Sequence, residues 1–509
     1  MVNRNKGIAH IGVFIPLLIA AAVVTFLLST SNPGLAAEAA VIKNYALANC
    51  LKLPPDFSTP PVAATVAPAS LWEGWSYEHK ITLTATPATV LVDRPVSIQV
   101  SGLKPSEPIT LDASMKSFQG TTWRSSATFI ADSKGIVTVA RTAPRYGSYS
   151  GVHAMGLIWS MLPEGVKQPE NTWFYLPRGG AKLHLTARAG GRTLASTEVL
   201  RLPWSPTVKE RNLDNNGLAG ILFTPAGAGP HPAVIVLGGS EGGLHPQVEE
   251  AALLASHGYI ALGLAYFQGY DSKNPLLAHL PKELVGIPLE YFKKAADWLQ
   301  KQPGVTAGRI GIIGWSKGAE AALLLASTYP KTFRAVVAFA PSSEVWSGIH
   351  YGPGPLTSSW MLHGKPVPFA SFQNQPTVYN PKTKTIFLLD GYLKPMQSGK
   401  GTAHAVIPVE RIKGPVLLIS GTDDKIWPSS LFAKRIMTRL KKHHHAYADE
   451  SLCYQGAGHY ILWPYRPTVT TGSESGPVTI LMGGNQHIYA FADRDAWNKV
   501  LAFLNTTLH

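Results

Sequence analysis

Residues 310–326 read IGIIGWSKGAEAALLLA, and this stretch decides the fold. Ile310, Gly311, Ile312 and Ile313 form a run with no polar alternation, as expected of a strand covered on both faces. Gly314-Trp315-Ser316-Lys317-Gly318 follows, a G-x-S-x-G pentapeptide, and residues 319–329 have the Ala- and Leu-rich composition of a helix. Strand, tight turn and helix around a serine describe a nucleophile elbow, which lifts the hydroxyl above the end of a sheet. The two glycines are required because strand and helix pack too closely there for side chains.

Working outward, the same rhythm continues on both sides. Residues 233–237 form a buried strand ending in Gly238-Gly239, 248–256 a helix stopped by Gly258, and 259–265 another strand. Residues 288–302 are expected to be helical, 335–339 and 416–419 to be strands, and 493–508 to close the chain as a helix. Strands alternating with helices of this length imply a parallel sheet with crossovers, so residues 206–509 are predicted to adopt the α/β-hydrolase fold. Residues 342–406 interrupt the rhythm; they are loop-rich and aromatic, the composition of a cap.

Upstream the period changes to two. Ile81, Leu83 and Ala85 alternate with threonines, Val96, Ile98 and Val100 with polar neighbours, and Leu183, Leu185 and Ala187 do the same. Turn signals at Pro87, Gly102 and Gly190-Gly191 punctuate them, so residues 81–205 are predicted to form an antiparallel β-sandwich. Residues 41–80 read as a linker, rich in Pro, Ala and Thr. Residues 1–40 read as a signal peptide or membrane anchor. Arg4 and Lys6 precede an uncharged stretch over residues 11–28, and Ala37-Glu38-Ala39 offers an A-x-A cleavage pattern. Eighteen apolar residues sit at the lower edge of a bilayer span, so the exported, periplasmic or extracellular form has a single-pass anchored alternative.

Export permits a disulfide between Cys50 and Cys453, the two cysteines, although sequence cannot bring them together and two free thiols are the default expectation. The balance of 45 Lys+Arg against 31 Asp+Glu gives +14, a surface suited to anionic lipid, phosphate-bearing substrates or a polyanionic envelope. No basic run has the character of a nucleic-acid footprint. Lys441, Lys442, His443, His444 and His445 read as an exposed helix C-terminus, where cations complement the dipole, and adjacent histidines diverge too much to share a metal.

A serine hydroxyl needs a base to take its proton, and the base needs an acid to hold its tautomer. In this fold the acid and then the histidine follow the serine along the chain. Asp424 follows the strand at 416–419 within Gly421-Thr422-Asp423-Asp424, with Asp423 as its rival. His459 lies in Gly456-Ala457-Gly458-His459, with His487 as its rival; His404 precedes the acid and is in the wrong order. The oxyanion donors are expected to be the backbone N–H of Lys317 and one from the loop Gly238-Gly239-Ser240-Glu241-Gly242-Gly243, at Gly239 or Ser240. This loop lacks the phosphate-binding spacing of G-x-G-x-x-G or a P-loop. Glu320, on the helix after Ser316, is expected to make a structural hydrogen bond. The motifs imply no metal or organic cofactor.

With these residues in view, the chain resembles the family of acyl-CoA thioesterases and bile acid-CoA:amino acid N-acyltransferases. The likeness runs from about Ile81 onward. It includes Gly147-Ser148-Tyr149-Ser150-Gly151, Met155-Gly156-Leu157-Ile158-Trp159-Ser160, Leu254-Ala255-Ser256-His257-Gly258-Tyr259 and Leu289-Glu290-Tyr291-Phe292. Gly314 to Glu320, Ile407-Pro408-Val409-Glu410, Asp423-Asp424 with Trp427-Pro428-Ser429, and Gly456 to His459 complete it. The resemblance implies an immunoglobulin-like N-terminal domain and a triad falling on Ser316, Asp424 and His459. It implies hydrolysis of acyl-CoA or a related thioester through an acyl-Ser316 intermediate. The N-acyltransferase branch is similar but uses Cys as nucleophile, so transfer to glycine or taurine is the alternative here. An export signal departs from the intracellular members and admits an exported esterase or amidase. A non-catalytic envelope binding protein on a decayed scaffold is the remaining reading, which an intact Ser, Asp and His oppose.

Overall fold

The structure is a computed structural model that describes residues 50–51 and 66–509, apart from 214–216, 246, 373–379, 381, 387, 398–400 and 476–477. The predicted signal or anchor at residues 1–40 and most of the predicted linker lie outside the described residues. Among the described residues no helix is long and apolar enough to cross a membrane.

Eight strands build the sheet that carries the elbow: β1 (Lys209–Leu213), β2 (Ala219–Thr224), β3 (His231–Leu237), β4 (Ile260–Ala265), β5 (Val305–Trp315), β6 (Ala335–Phe339), β7 (Val416–Gly421) and β8 (Glu450–Tyr454). Their spatial order is 1-2-4-3-5-6-7-8. β2 runs antiparallel to β1 and β4, and every pairing from β4 through β8 is parallel. This is an α/β-hydrolase sheet. Its central strands need no polar face because helices cover both sides. Ala233, Ile235 and Leu237 of β3 pack into one core with α2 (Leu289–Gln300) and α3 (Lys317–Thr328), whereas Val234 and Val236 join the other. That second core holds α1 (Gln247–Ser256) and α6 (Gln486–Leu508). Each fully buried aliphatic side chain contributes roughly 1.5–3 kcal/mol, so a sheet with two such faces is a rigid platform.

The upstream region forms two sheets around one shared core. Thr82–Thr86, Ser97–Ser101 and Val137–Thr138 make a three-stranded sheet. The larger sheet centres on Pro108–Lys116, Thr122–Ile130, Ala181–Ala189 and Arg192–Leu202. Alternation sets the inner face: Leu183, Leu185 and Ala187 are all buried in the cluster that also holds Ile98 and Val100 of the other sheet. Not every pairing is antiparallel, since Thr89–Leu91 runs parallel to Arg192–Leu202. The two domains are joined by buried polar contacts. The Arg201 guanidinium donates to the carbonyls of Val92 (2.6 Å) and Arg94 (3.1 Å) in its own domain and to that of Tyr465 (3.1 Å) across the boundary. Asp93 accepts from the Trp497 indole at 2.9 Å.

The cysteines differ from the default expectation: Cys50 and Cys453 form a disulfide. β8 is the edge strand of the large sheet, and Leu51 pairs in parallel with Tyr454, which sets Cys50 beside Cys453. No local pattern could show a contact spanning 403 residues. The Cys50→Ser/Cys453→Ser double variant is expected to lose roughly 2–5 kcal/mol of stability, because the unfolded chain regains loop entropy. Its turnover should be unchanged. Calorimetry against wild type checks this; an identical melting curve would mean the bridge does not form in solution.

Among the described residues of 342–406 the regular elements are short. Trp360–Leu362 pairs with Lys365–Pro366 and Ile287–Pro288, and α4 (Leu389–Gln397) follows. α5 (Ser429–Lys442) ends at the basic cluster. Lys441, Lys442, His443 and His444 are exposed there, but His445 is not, since its ring bonds Asp449 and the Ile412 carbonyl.

Candidate active site

Ser316 stands between β5 and α3 with φ 53° and ψ −117°. A β-carbon disfavours positive φ, and such strain persists only where the surroundings enforce it. The enforcement is visible. The Ser316 N–H donates to Phe339 O at 2.9 Å, and its carbonyl accepts the N–H groups of Ala319 and Glu320. A Cβ on Gly314 would fall 2.1 Å from Gly318 O, and one on Gly318 would fall 2.2 Å from Gly238 O. Neither glycine tolerates a side chain, so the pentapeptide is dictated by packing.

Asp424 and His459 come from the loops after β7 and β8, at the same carboxyl edge of the sheet as Ser316. They are 4% and 6% exposed. Asp424 Oδ2 lies 2.8 Å from His459 Nδ1. A carboxylate only accepts, so Nδ1 carries the proton and Nε2 is left with its lone pair free. Asp424 Oδ1 accepts the N–H groups of Ile426 (2.9 Å) and Trp427 (3.2 Å), which fixes the carboxylate. The Trp427 ring meets the imidazole edge-to-face at 5.9 Å.

The rivals are placed elsewhere. Asp423 accepts the Gly484 N–H at 2.8 Å and pairs with Lys425 at 2.6 Å. His487 lies at the start of α6 against Trp159 and His153 of the upstream domain, where burial pushes its imidazole down to about 4. His404 bonds the Phe369 carbonyl.

The expected oxyanion donors flank the elbow. A Cβ on Gly239 would sit 3.2 Å from Ser316 Cβ, so this turn lies directly against the serine. Tyr266 OH pins the turn from below by donating to Gly238 O (2.7 Å) and Gly239 O (3.2 Å). Ser240 turns its carbonyl to Tyr351 OH at 3.4 Å. Lys317 has a buried side chain, 2% exposed, whose ammonium meets Glu320 Oε1 at 2.6 Å. The same oxygen accepts the Trp360 indole at 2.7 Å and the Trp346 N–H at 3.3 Å. Burial pushes the Lys317 ammonium down and the Glu320 carboxyl up, each opposed by the other's charge. The structural bond expected of Glu320 thus ties the elbow helix to residues 342–406.

Sequence reasoning gave Glu241 no role. Its carboxylate accepts the Gly239 N–H at 2.7 Å, and burial pushes it up to about 7 against the opposing influence of that bond and of nearby His459. The available signal was a lone carboxylate in an otherwise small-residue turn. Also missed was the reach of the upstream domain, whose Trp173 packs edge-on to Tyr460, beside His459, at 4.4 Å. Among the described residues no cluster of three His, Cys, Asp or Glu side chains could hold a metal.

A serine at a strained elbow, an oriented imidazole and nearby backbone donors are the parts needed for acyl transfer to an oxygen nucleophile. Comparison with known proteins bears on which acyl group. Residues 287–509 match the family model described as BAAT / acyl-CoA thioester hydrolase C terminal. Residues 93–215 match the acyl-CoA thioester hydrolase/BAAT N-terminal region, and residues 218–351 the dienelactone hydrolase family. Acyl-coenzyme A thioesterase 1 of Mus musculus is 32% identical over 422 residues, covering 82% of this chain and 94% of its own. Acyl-coenzyme A amino acid N-acyltransferase 1 of Mus musculus is 31% identical over 446 residues, covering 84% and 98%. A solved dienelactone hydrolase from Anabaena variabilis overlaps 60% of this chain at 15% identity and a TM-score of 0.31, too low to bear on the fold. Identity at this level over nearly the whole length of those relatives settles the membership: the chain belongs to the acyl-CoA thioesterase and bile acid-CoA:amino acid N-acyltransferase family of enzymes.

Proposed function

We propose that this chain is a serine thioesterase that hydrolyses acyl-CoA, or a related acyl thioester, to free acid and thiol. The observation that carries the reading is the 2.8 Å Asp424–His459 contact at the sheet edge that also presents Ser316 on its strained elbow. His459 Nε2 takes the Ser316 proton as Oγ attacks the thioester carbonyl, and the backbone N–H groups of Lys317 and Gly239 or Ser240 receive the oxyanion. The C–S bond breaks, the thiol leaves with the proton from His459, and the acyl group stays on Ser316. Water then attacks that ester with His459 again as base, releasing the acid.

The upstream two-sheet domain is read as an immunoglobulin-like sandwich, and residues 342–406 as a cap shaping the acyl pocket. The Cys50–Cys453 bridge supports an oxidising compartment, in keeping with an exported or membrane-anchored enzyme. The test is product analysis with acyl-CoA esters of several chain lengths, with glycine or taurine present. Free acid and free thiol in equal amounts, without acylated amine, are expected. An acyl-amide product would make this a transferase, and turnover of aryl esters alone would make it an esterase.

A further inference from the structure

The Glu241 carboxylate folds back onto the turn that lies against the nucleophile. Oε1 accepts the Gly239 N–H at 2.7 Å, one of the two backbone donors, Gly239 and Ser240, between which the proposed function chooses for the thioester oxygen. A methyl group on Gly239 would meet Glu241 Oε2 at 2.8 Å on one side and Ser316 Cβ at 3.2 Å on the other. Carboxylate and nucleophile therefore flank one point in space. A carboxylate bonded to an N–H is a stronger acceptor than a neutral carbonyl, so an incoming carbonyl does not displace it by hydrogen bonding alone. Displacement needs binding energy from parts of the substrate remote from the reacting bond.

We infer that Glu241 plugs the oxyanion hole of the resting enzyme, so that every substrate must displace its carboxylate before the carbonyl can be polarised. The inference rests on the serine-hydrolase reading of this site. Groups facing the carboxylate are His459 and the phenols of Tyr175, Tyr266, Tyr351 and Tyr460. Because burial pushes Glu241 up to about 7, the carboxyl takes up its proton as pH falls through the neutral range. A neutral carboxyl is the weaker acceptor, so the plug loosens toward acid. Comparing wild type with a Glu241 variant on one substrate at each pH cancels what the shared groups of the site contribute.

The experiment compares kcat/KM for palmitoyl-CoA and for p-nitrophenyl acetate in wild type, Glu241→Ala and Glu241→Gln, between about pH 6 and about pH 8. Glu241→Ala is expected to raise kcat/KM for both esters alike, roughly 10–100-fold at about pH 8, the span of one charged hydrogen bond. Glu241→Gln keeps a neutral acceptor, so its gain over wild type should be smaller than that of Glu241→Ala. The gain of either variant over wild type should shrink as pH is lowered, because the wild-type carboxyl is then protonated and holds the hole less firmly. Variants that gain no activity on either ester, or a gain that does not shrink toward acid, would overturn the plug. Absence of Ser316-dependent turnover of either ester in wild type would instead overturn the serine-hydrolase reading.

Discussion

Ser316→Ala is expected to lower kcat for thioester hydrolysis by up to about 10⁶-fold, because no other group can form the acyl ester. The fold should survive. The elbow is held by the Ser316 N–H bond to Phe339 O and by the contacts at Gly314 and Gly318, none of which uses the hydroxyl. Alanine carries the same Cβ and meets the same φ of 53°, so it inherits the strain without adding to it. Thiol release measured beside a thermal melt separates the two effects. Lost turnover with an unchanged melt is the expected pair.

Asp424→Asn should cost roughly 10⁴ in kcat, and the reason is a tautomer rather than a missing shape. The amide oxygen can still accept the N–H groups of Ile426 and Trp427, which now bond Oδ1. Its NH₂ then faces His459 Nδ1 and requires a lone pair there. The ring proton moves to Nε2, and the base can no longer take a proton from Ser316. Asp423→Asn is the control. That side chain serves Gly484 and Lys425 instead, so kcat should stay within a few-fold of wild type. Equal losses for the two variants would assign the orienting role to the wrong aspartate.

The catalytic half was legible where burial leaves an unambiguous composition. The run at 335–339 coincides with β6 and that at 416–419 falls within β7, because each is a short apolar stretch bounded by turns. Ser316 was legible because strand, glycine pair and helix are all local. Elements contacted on two sides were harder. α6 begins at Gln486 and not at 493: its first turns carry His487, Tyr489 and Phe491, all buried, so no polar stripe marks a helical face. The one local signal was Asn485, whose side chain caps the Ile488 N–H. β5 reaches back to Val305 through Gly308, a residue that looks like a turn in sequence. The Cys50–Cys453 bridge, the Trp173–Tyr460 contact and the Glu241 plug depend on how distant segments or a folded turn meet. Residue patterns carry no trace of such meetings.

Rapid quenching of wild-type enzyme with a long-chain acyl-CoA, followed by peptide mapping, tests the central claim most directly. The account predicts an acyl ester on the peptide containing Ser316, formed as thiol is released and lost as free acid accumulates. Thiol release at an undiminished rate from Ser316→Ala, with no covalent adduct at position 316 in wild type, would contradict it.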